Sequence, residues 1–594
     1  MIEKYAQNYS DLNHPSHVSG AGAYAEYILP EDNSLSDLSL GSTVIIRDSR
    51  DEKIVWMAGT VIEIRSLSPF LADRDVMLYN RAGSDTANSI LRDISGPHSE
   101  QRLVAKVKLD IELEKDDNGN YIQSPTQRPA SSWSQMTTPS ISSEDDNIPS
   151  MIDILGLKEK GVEVGFIGAG NNPREEQGEF LPYLLDIANL DNRHMFVVGE
   201  SGSGKTVLLK KLALGLRATE IDGAKPRVIM TDVQGDLLQL MMSNIIGSIP
   251  SKGWQNRIKQ NSSIQDSLDE MGPFQLILPI SKHGDKKMLA SIKEVVENNG
   301  HTVNEVGLRL QDVENVAEIE YLLRLSSEQA ATVLDDEMEA MKSNDVPVTL
   351  DRLEGKIKSI LNRDPEEKQP ATSSGTKFYK STFLATLRGL RHLRDIFDHH
   401  EPSLRTHLNP LNCLNFRGTS VFFLEHLDPE ERLMWGMQLV KWLYENKREK
   451  GQFFVFIDEA HQLIPAKPPS AGKGGTFPRL RDNFEKLSRE GRKFGINLIL
   501  GTQSPRDLHE IVPQQCPTKI VMKIDKSNAR SAQIEEGEAR IASRFGQGQM
   551  YLKSPFNGTS EWIRVHSPAP PLPHESMTNF WTKLDDEAKR IILQ

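Results

Sequence analysis

The chain is poor in cysteine: only Cys413 and Cys516 occur among its 594 residues. That scarcity argues against a disulfide framework or a cysteine zinc site, and it suits a reducing cytoplasm. No run approaches the roughly 18 apolar residues of a membrane span. The opening residues, MIEKYAQNYS, lack the basic-then-apolar order of a signal peptide. The expectation is a cytoplasmic protein with no membrane segment. An excess of positive charge is missing too, with Lys+Arg 70 against Asp+Glu 83 and a net charge of −13. This weakens a model of broad surface binding to nucleic acid, and weakens a local basic channel inside an acidic ring much less. What is present, 26% charged and 38% hydrophobic residues, is the composition of a soluble globular protein long enough for several domains.

The most informative stretch is Gly199-Glu200-Ser201-Gly202-Ser203-Gly204-Lys205-Thr206, followed by Val207. It fits the phosphate-loop pattern G-x-x-x-x-G-K-[ST] at every fixed position. Met195–Val198 before it is a short apolar run that reads as a buried strand, and 207–213 has helical spacing. Glycines let backbone amides converge on phosphate oxygens, and the helix N-terminus adds partial positive charge. Lys205 is expected to reach the β- and γ-phosphates of ATP, and Thr206 to hold Mg²⁺.

Taken in order, residues 1–123 contain several short runs of strand composition that predict a small β-barrel. Residues 124–150, rich in Ser, Thr and Pro, are expected to be a flexible linker. Residues 151–282 begin an α/β core. Within it, Arg227–Asp232 is an apolar strand followed by a turn with Asp236. Asp232 and Asp236 suit either a nucleotide edge or subunit boundary, or simple turn capping. Residues 283–410 break the strand–helix rhythm and predict an inserted helical subdomain, with helices over 317–341, 350–361 and 381–397 and a charge density suited to a solvated face. The core resumes over 411–566. Asp428-Pro429-Glu430-Glu431 is a helix start, and the aromatic residues of that helix suit packing rather than base stacking. Residues 567–594 form a tail.

The second half of the chemistry lies at Phe453–Ile457, an apolar strand ending in Asp458-Glu459. Adjacent acids at the end of a buried strand are costly without a cation. Asp458 is assigned to the Mg²⁺ shell and Glu459 to orienting the attacking water. The flexible loop that follows offers Lys467, Lys473 and Arg479 as candidate DNA contacts. Arg489 and Arg492 are candidates for a finger acting on a neighbour's nucleotide, or for helix C-terminal charge compensation. Gln503, ending a buried strand, is a candidate γ-phosphate or water sensor.

The ordered set GESGSGKT, VIMTDVQGD, VFIDEAH, REGRKFGINLILGTQSP and QCPTKIVMKI resembles the HerA family of DNA-translocating ATPases, relatives of FtsK, over about residues 20–566. The resemblance implies a RecA-like P-loop core with a helical insert and a preceding β-barrel of the family's type. It also implies a homo-hexameric ring that moves double-stranded DNA through its pore, with ATP and Mg²⁺ as cofactors. By position, Lys205 and Thr206 match the family's Walker A residues, Asp458 and Glu459 its Walker B pair, Gln503 its sensor, and Arg489–Arg492 its finger region. Residues 567–594 match a segment that braces the neighbouring subunit. The sequence departs from the family's common pattern at Glu200-Ser201 and carries Thr206 where serine is frequent. Family members act with a nuclease or an NAD-hydrolase-type effector, in DNA-end processing or antiphage defence. The chain has no such constellation of its own. The expected function is therefore a DNA translocase or helicase working with such a partner. A ring that chiefly scaffolds and activates a toxic effector is the alternative.

Overall fold

Alternation of apolar and polar residues builds the first part of the chain. A computed structural model describes residues 6–592 outside short stretches, the longest being 9–17, 30–37, 68–101, 320–327, 398–410, 468–475 and 556–561. The chain divides into two units, 1–186 with 521–567, and 187–520 with 568–594.

In the first unit β1 (Ala6–Asn8), β2 (Gly22–Ile28), β3 (Thr43–Arg50), β4 (Lys53–Leu67), β5 (Arg102–Lys115) and β6 (Gln135–Thr137) are all antiparallel to their neighbours. Pairing runs β2-β1-β6-β3-β4-β5 and returns from β5 to β2, so six strands close on themselves. Val44 and Ile46 of β3, and Val107 and Leu109 of β5, alternate into a core with Tyr27, Met57 and Met136. Here the structure departs from the expected flexible linker. β6 lies inside 124–150, with Met136 fully buried and the Ser134 hydroxyl 2.9 Å from that of Tyr27. A three-residue strand is too short to display a period, so composition alone hides it. β7 (Val162–Ala169) follows, with β8 (Pro182–Leu185) antiparallel on it.

The second unit is a parallel sheet. Its strands are β9 (Met195–Val198), β10 (Arg227–Asp232), β11 (Phe274–Pro279), β12 (Thr302–Val306), β13 (Thr419–Phe423), β14 (Phe453–Ile457) and β15 (Ile496–Thr502). They lie in the order β9-β15-β14-β10-β13-β11-β12. Most are buried at every position, as a sheet covered on both faces demands. Edge strand β12, with the polar sequence TVNEV, is the exception, and it corrects the expected insert boundary. Its partner helix α2 (Lys286–Asn298) comes earlier still, so the sheet's rhythm continues past residue 283.

Among the described residues the insert proper is three helices. They are α3 (Glu328–Ser343), α4 (Leu350–Arg363) and α5 (Lys380–Leu393). α6 (Pro429–Glu445) starts as read, with a capping box between Asp428 and Glu431. Its Trp435 and Trp442 pack edge-on against Phe422 and Phe453, at centroid distances of 5.5 and 5.8 Å. α7 spans Thr476–Glu490.

The tail belongs to the second unit. Phe580, Leu584 and Ala588 recur at a spacing of four in α8 (Met577–Ile592) and are buried. Trp581 sits 6.5 Å from Phe423. Gln239 and Glu575 exchange two hydrogen bonds: Glu575 N donates to Oε1 at 2.7 Å, and Nε2 donates to the Glu575 carbonyl at 3.0 Å. The resemblance places the tail on a neighbour, but in the structure its apolar face packs on its own chain. The stretch expected to complete the second half of the core divides as well. β16 (Gln549–Lys553) and β17 (Ile563–His566) belong to the first unit, where β17 is antiparallel to β16 and β7.

Candidate active site

Strand order builds the site. β15 lies between the phosphate-loop strand β9 and the acid strand β14, with Val198 beside Thr502 and Ile457 beside Leu500. Three consecutive strands therefore deliver their C-terminal ends to one place, where ligands gather in open parallel sheets.

The loop from Gly199 to Gly204 leads into α1 (Lys205–Ala218). Gly204 caps the helix at φ 98°, a conformation that a side chain would strain. The first turn of α1 contains no acid, so the amides at its head face no local competition for an anion. Ser203 is buried, and its amide closes the turn onto the Glu200 carbonyl at 3.1 Å. Val207 continues the helix and is half-buried.

Lys205 is 3% exposed, and its ammonium donates to Asp458 Oδ1 at 2.9 Å and to Glu459 Oε1. Burial pushes the amine's proton affinity down, but the two carboxylates outweigh it and hold the amine above its ordinary value. The Thr206 hydroxyl donates to Asp458 Oδ2 at 3.0 Å. A hydroxyl and a carboxylate so placed beside an anion-binding loop are the hard oxygen donors that Mg²⁺ takes together with phosphate oxygens, so these residues fit the ion.

Glu459 has left-handed backbone, φ 49° and ψ 51°, which is uncommon outside glycine and concentrates at functional sites. Neighbours hold it there. Its Oε2 accepts from the Gln503 amide at 3.1 Å and lies 3.3 Å from His461 Nδ1. His461 Nδ1 is also 3.1 Å from the Thr502 hydroxyl. Burial lowers the His461 pKa, with Glu459 pulling the other way. Gln503 thus meets Glu459 through its backbone.

The remaining expectations separate. Arg489 forms an ion pair with Glu485 at 2.7 Å, and Arg492 is exposed. Both precede β15, so the seven-residue strand, about 20 Å long, separates them from Gln503 at its far end. Neither serves its own chain's site. Lys467 is exposed, Lys473 lies outside the described residues, and Arg479 falls within α7. Asp232 caps a turn, accepting from the amides of Gln234, Gly235 and Leu238 at 3.3, 2.7 and 2.7 Å. Burial lifts its carboxyl to about 7 against those amides.

Sequence reasoning missed Lys210. It is 1% exposed and sits five residues after Lys205 in α1. Its amine donates to the Pro573 carbonyl at 2.7 Å and lies 3.3 Å from His574 Nδ1. Burial pushes the amine down to about 8, with Asp236 and Asp232 opposing. Lysine in LLKKLAL reads as a surface residue, so no local signal marks it. His461 could have been found from its place two residues after Glu459.

Residues 162–420 match the family described as the central domain of helicase HerA. A probable DNA double-strand break repair helicase HerA of Methanocaldococcus jannaschii is 35% identical over 88 residues, 14% of this chain and 16% of the relative. Residues 162–420 are thus similar to the central ATPase domain of the HerA family. A probable helicase of the same organism is 23% identical over 155 residues, 25% of this chain and 29% of the relative. The DNA double-strand break repair helicase HerA of Sulfolobus acidocaldarius is 29% identical over 99 residues, 16% of this chain and 18% of the relative. The chain thus aligns with between 16% and 29% of the length of these relatives. Among solved structures, VirB4 of Thermoanaerobacter pseudethanolicus is similar with a TM-score of 0.43 and 14% identity, over 70% of this chain and 98% of that one. The HerA match begins at β7 and runs through the phosphate loop, whereas Asp458, Glu459 and Gln503 lie beyond it.

Proposed function

We propose that the chain hydrolyses ATP and uses the energy to move double-stranded DNA, as a homo-hexamer working with a nuclease or NAD-hydrolase-type effector in antiphage defence or DNA-end processing. The observation that carries the hydrolytic part is the convergence of Lys205, Thr206, Asp458, Glu459 and Gln503 from three adjacent strands. The family match supports the choice of DNA as the object moved.

In this reading the amides of 199–204 cradle the phosphates, and Lys205 exchanges a carboxylate for the β- and γ-phosphate oxygens. That exchange releases Glu459, which accepts a proton from the attacking water. The Gln503 amide holds Glu459 in register for that transfer. Thr206 and Asp458 hold Mg²⁺, which when bound neutralises phosphate charge. Arg489 or Arg492 completes the charge balance on a neighbouring subunit's nucleotide in this reading, which is supported by their separation from their own chain's site across β15.

The test is ATPase rate with and without duplex DNA, together with displacement of streptavidin from biotinylated duplex. Duplex-stimulated turnover and ATP-dependent displacement are expected. An ATPase indifferent to duplex, with no displacement, would overturn the motor reading and favour a scaffold. Mixing Lys205→Ala subunits with Arg489→Ala or Arg492→Ala subunits should restore part of the activity for whichever arginine acts in trans.

A further inference from the structure

The helical insert separates its charge. α3 carries Glu328, Asp335, Asp336, Glu337 and Glu339 against Lys342 alone. Residues 377–394 carry Lys377, Lys380, Arg388, Arg391 and Arg394 and no acid, in a chain whose net charge is −13. A merely solvated helix face mixes signs and pairs them at i,i+4.

The structure shows how these cations are used. α5 turns Phe383, Thr386, Leu390 and Leu393 inward, and the Thr386 hydroxyl ties it to the Ala330 carbonyl of α3 at 3.0 Å. Arg394 is spent on Asp351, at 3.0 Å, and on Glu354. The Lys380 ammonium donates to the Asp364 carbonyl at 3.2 Å. These contacts fix both ends of α5 on α4. Lys377, Arg388 and Arg391 remain exposed and make no ion pair with any described residue. Lys380, Leu384, Arg388 and Arg391 recur at spacings of four, four and three, so they share one stripe of the helix. From Lys380 to Arg391 that stripe is about 16 Å long, or about five base-pair rises of duplex DNA. Exposed apolar surface there is confined to Tyr379 and Leu384, 59% and 47% accessible. That is too little for the charge-depleted apolar centre of a protein–protein interface.

We propose that the outer face of α5, with Lys377 before it, is a contact for the phosphate backbone of duplex DNA, separate from the loop after Glu459. Arginine pairs with phosphate through two parallel hydrogen bonds, and Arg388 and Arg391 present such groups on a framework already fixed by its own ion pairs. The contact reads charge and not sequence. This inference rests on the DNA-handling part of the proposed function, and its test separates the two.

The experiment measures equilibrium binding of a 30-base-pair duplex to the full chain across a salt series, for wild type and for Lys377→Glu/Arg388→Glu/Arg391→Glu. Three phosphate contacts predict that the slope of log affinity against log salt becomes shallower by about 2.7. ATPase without DNA should be unchanged. The matching Gln triple variant should lose most of the same slope, which separates lost contacts from repulsion. Wild-type binding with the same affinity and slope in both variants overturns this inference and leaves the motor reading standing. A wild type that binds no duplex overturns both. An insert that unfolds in the Glu variant shows as a lower melting temperature, and the Gln variant then decides.

Discussion

Two buried lysines on one helix meet opposite surroundings. At the head of α1, Lys205 faces two carboxylates and keeps its charge firmly. Five residues on, Lys210 reaches a carbonyl and an imidazole of the tail, and burial brings its amine to about 8. The first region holds a charge that an arriving phosphate can take over. The second gives up part of its charge stability to fasten a strap. Burial alone therefore does not define a lysine's role; its partners do.

The largest expected effect breaks the first region. Glu459→Gln should slow hydrolysis by about 10²–10⁴-fold while nucleotide binding persists, since the amide keeps the shape and loses the base. Single-turnover hydrolysis with fluorescent-nucleotide titration checks both halves.

Gly235 tests the strap from its other side. A Cβ there would lie 2.6 Å from Met577 Cε and 3.1 Å from a Trp581 ring carbon, at φ 88°. Gly235→Ala should loosen α8 by about 1–3 kcal/mol. Amide exchange over 577–592 should accelerate, while exchange over 205–218 stays unchanged.

The comparison sharpens with pH. Lys210 has a folded pKa near 8 against an ordinary 10.5. Between those values the unfolded chain binds a proton that the folded chain does not, so stability rises with pH. Measured against Lys210→Met by urea unfolding, wild type should gain from about pH 8 to 10.5 and hold a constant difference below pH 8.

The smallest effect comes from His194. It is fully buried, and its Nδ1 accepts from the Leu498 amide at 2.8 Å. Burial lowers its pKa to about 4. The unfolded chain takes up a proton below about 6.5 that the folded chain refuses, so stability falls as pH drops from 6.5 toward 4. His194→Asn should flatten that fall by about 2 kcal/mol at pH 5.

The phosphate loop and the two acids were legible in the sequence because their chemistry is local: glycines at a turn, and charge at the end of an apolar strand. The parallel sheet was legible from continuous apolar runs. β6 was hidden, because three residues show no period and Met136 is buried by strands remote in sequence. β12 was hidden by the polar sequence of an edge. Lys210 was invisible because its partners lie more than 350 residues away. Arg489 and Arg492 looked close to the site along the chain, yet β15 carries the backbone away from them before Gln503.

The Lys210–Pro573 bond also sets a mechanical tolerance. α1 begins at the phosphate loop and is stiff on the scale of its 14 residues. At 2.7 Å, the bond has about 0.5–0.8 Å of slack before it leaves hydrogen-bonding range. A shift of α1 by about 1 Å along that bond exceeds this slack, so either the four-carbon stem of Lys210 turns to absorb it or the tail is drawn along with the phosphate-loop helix.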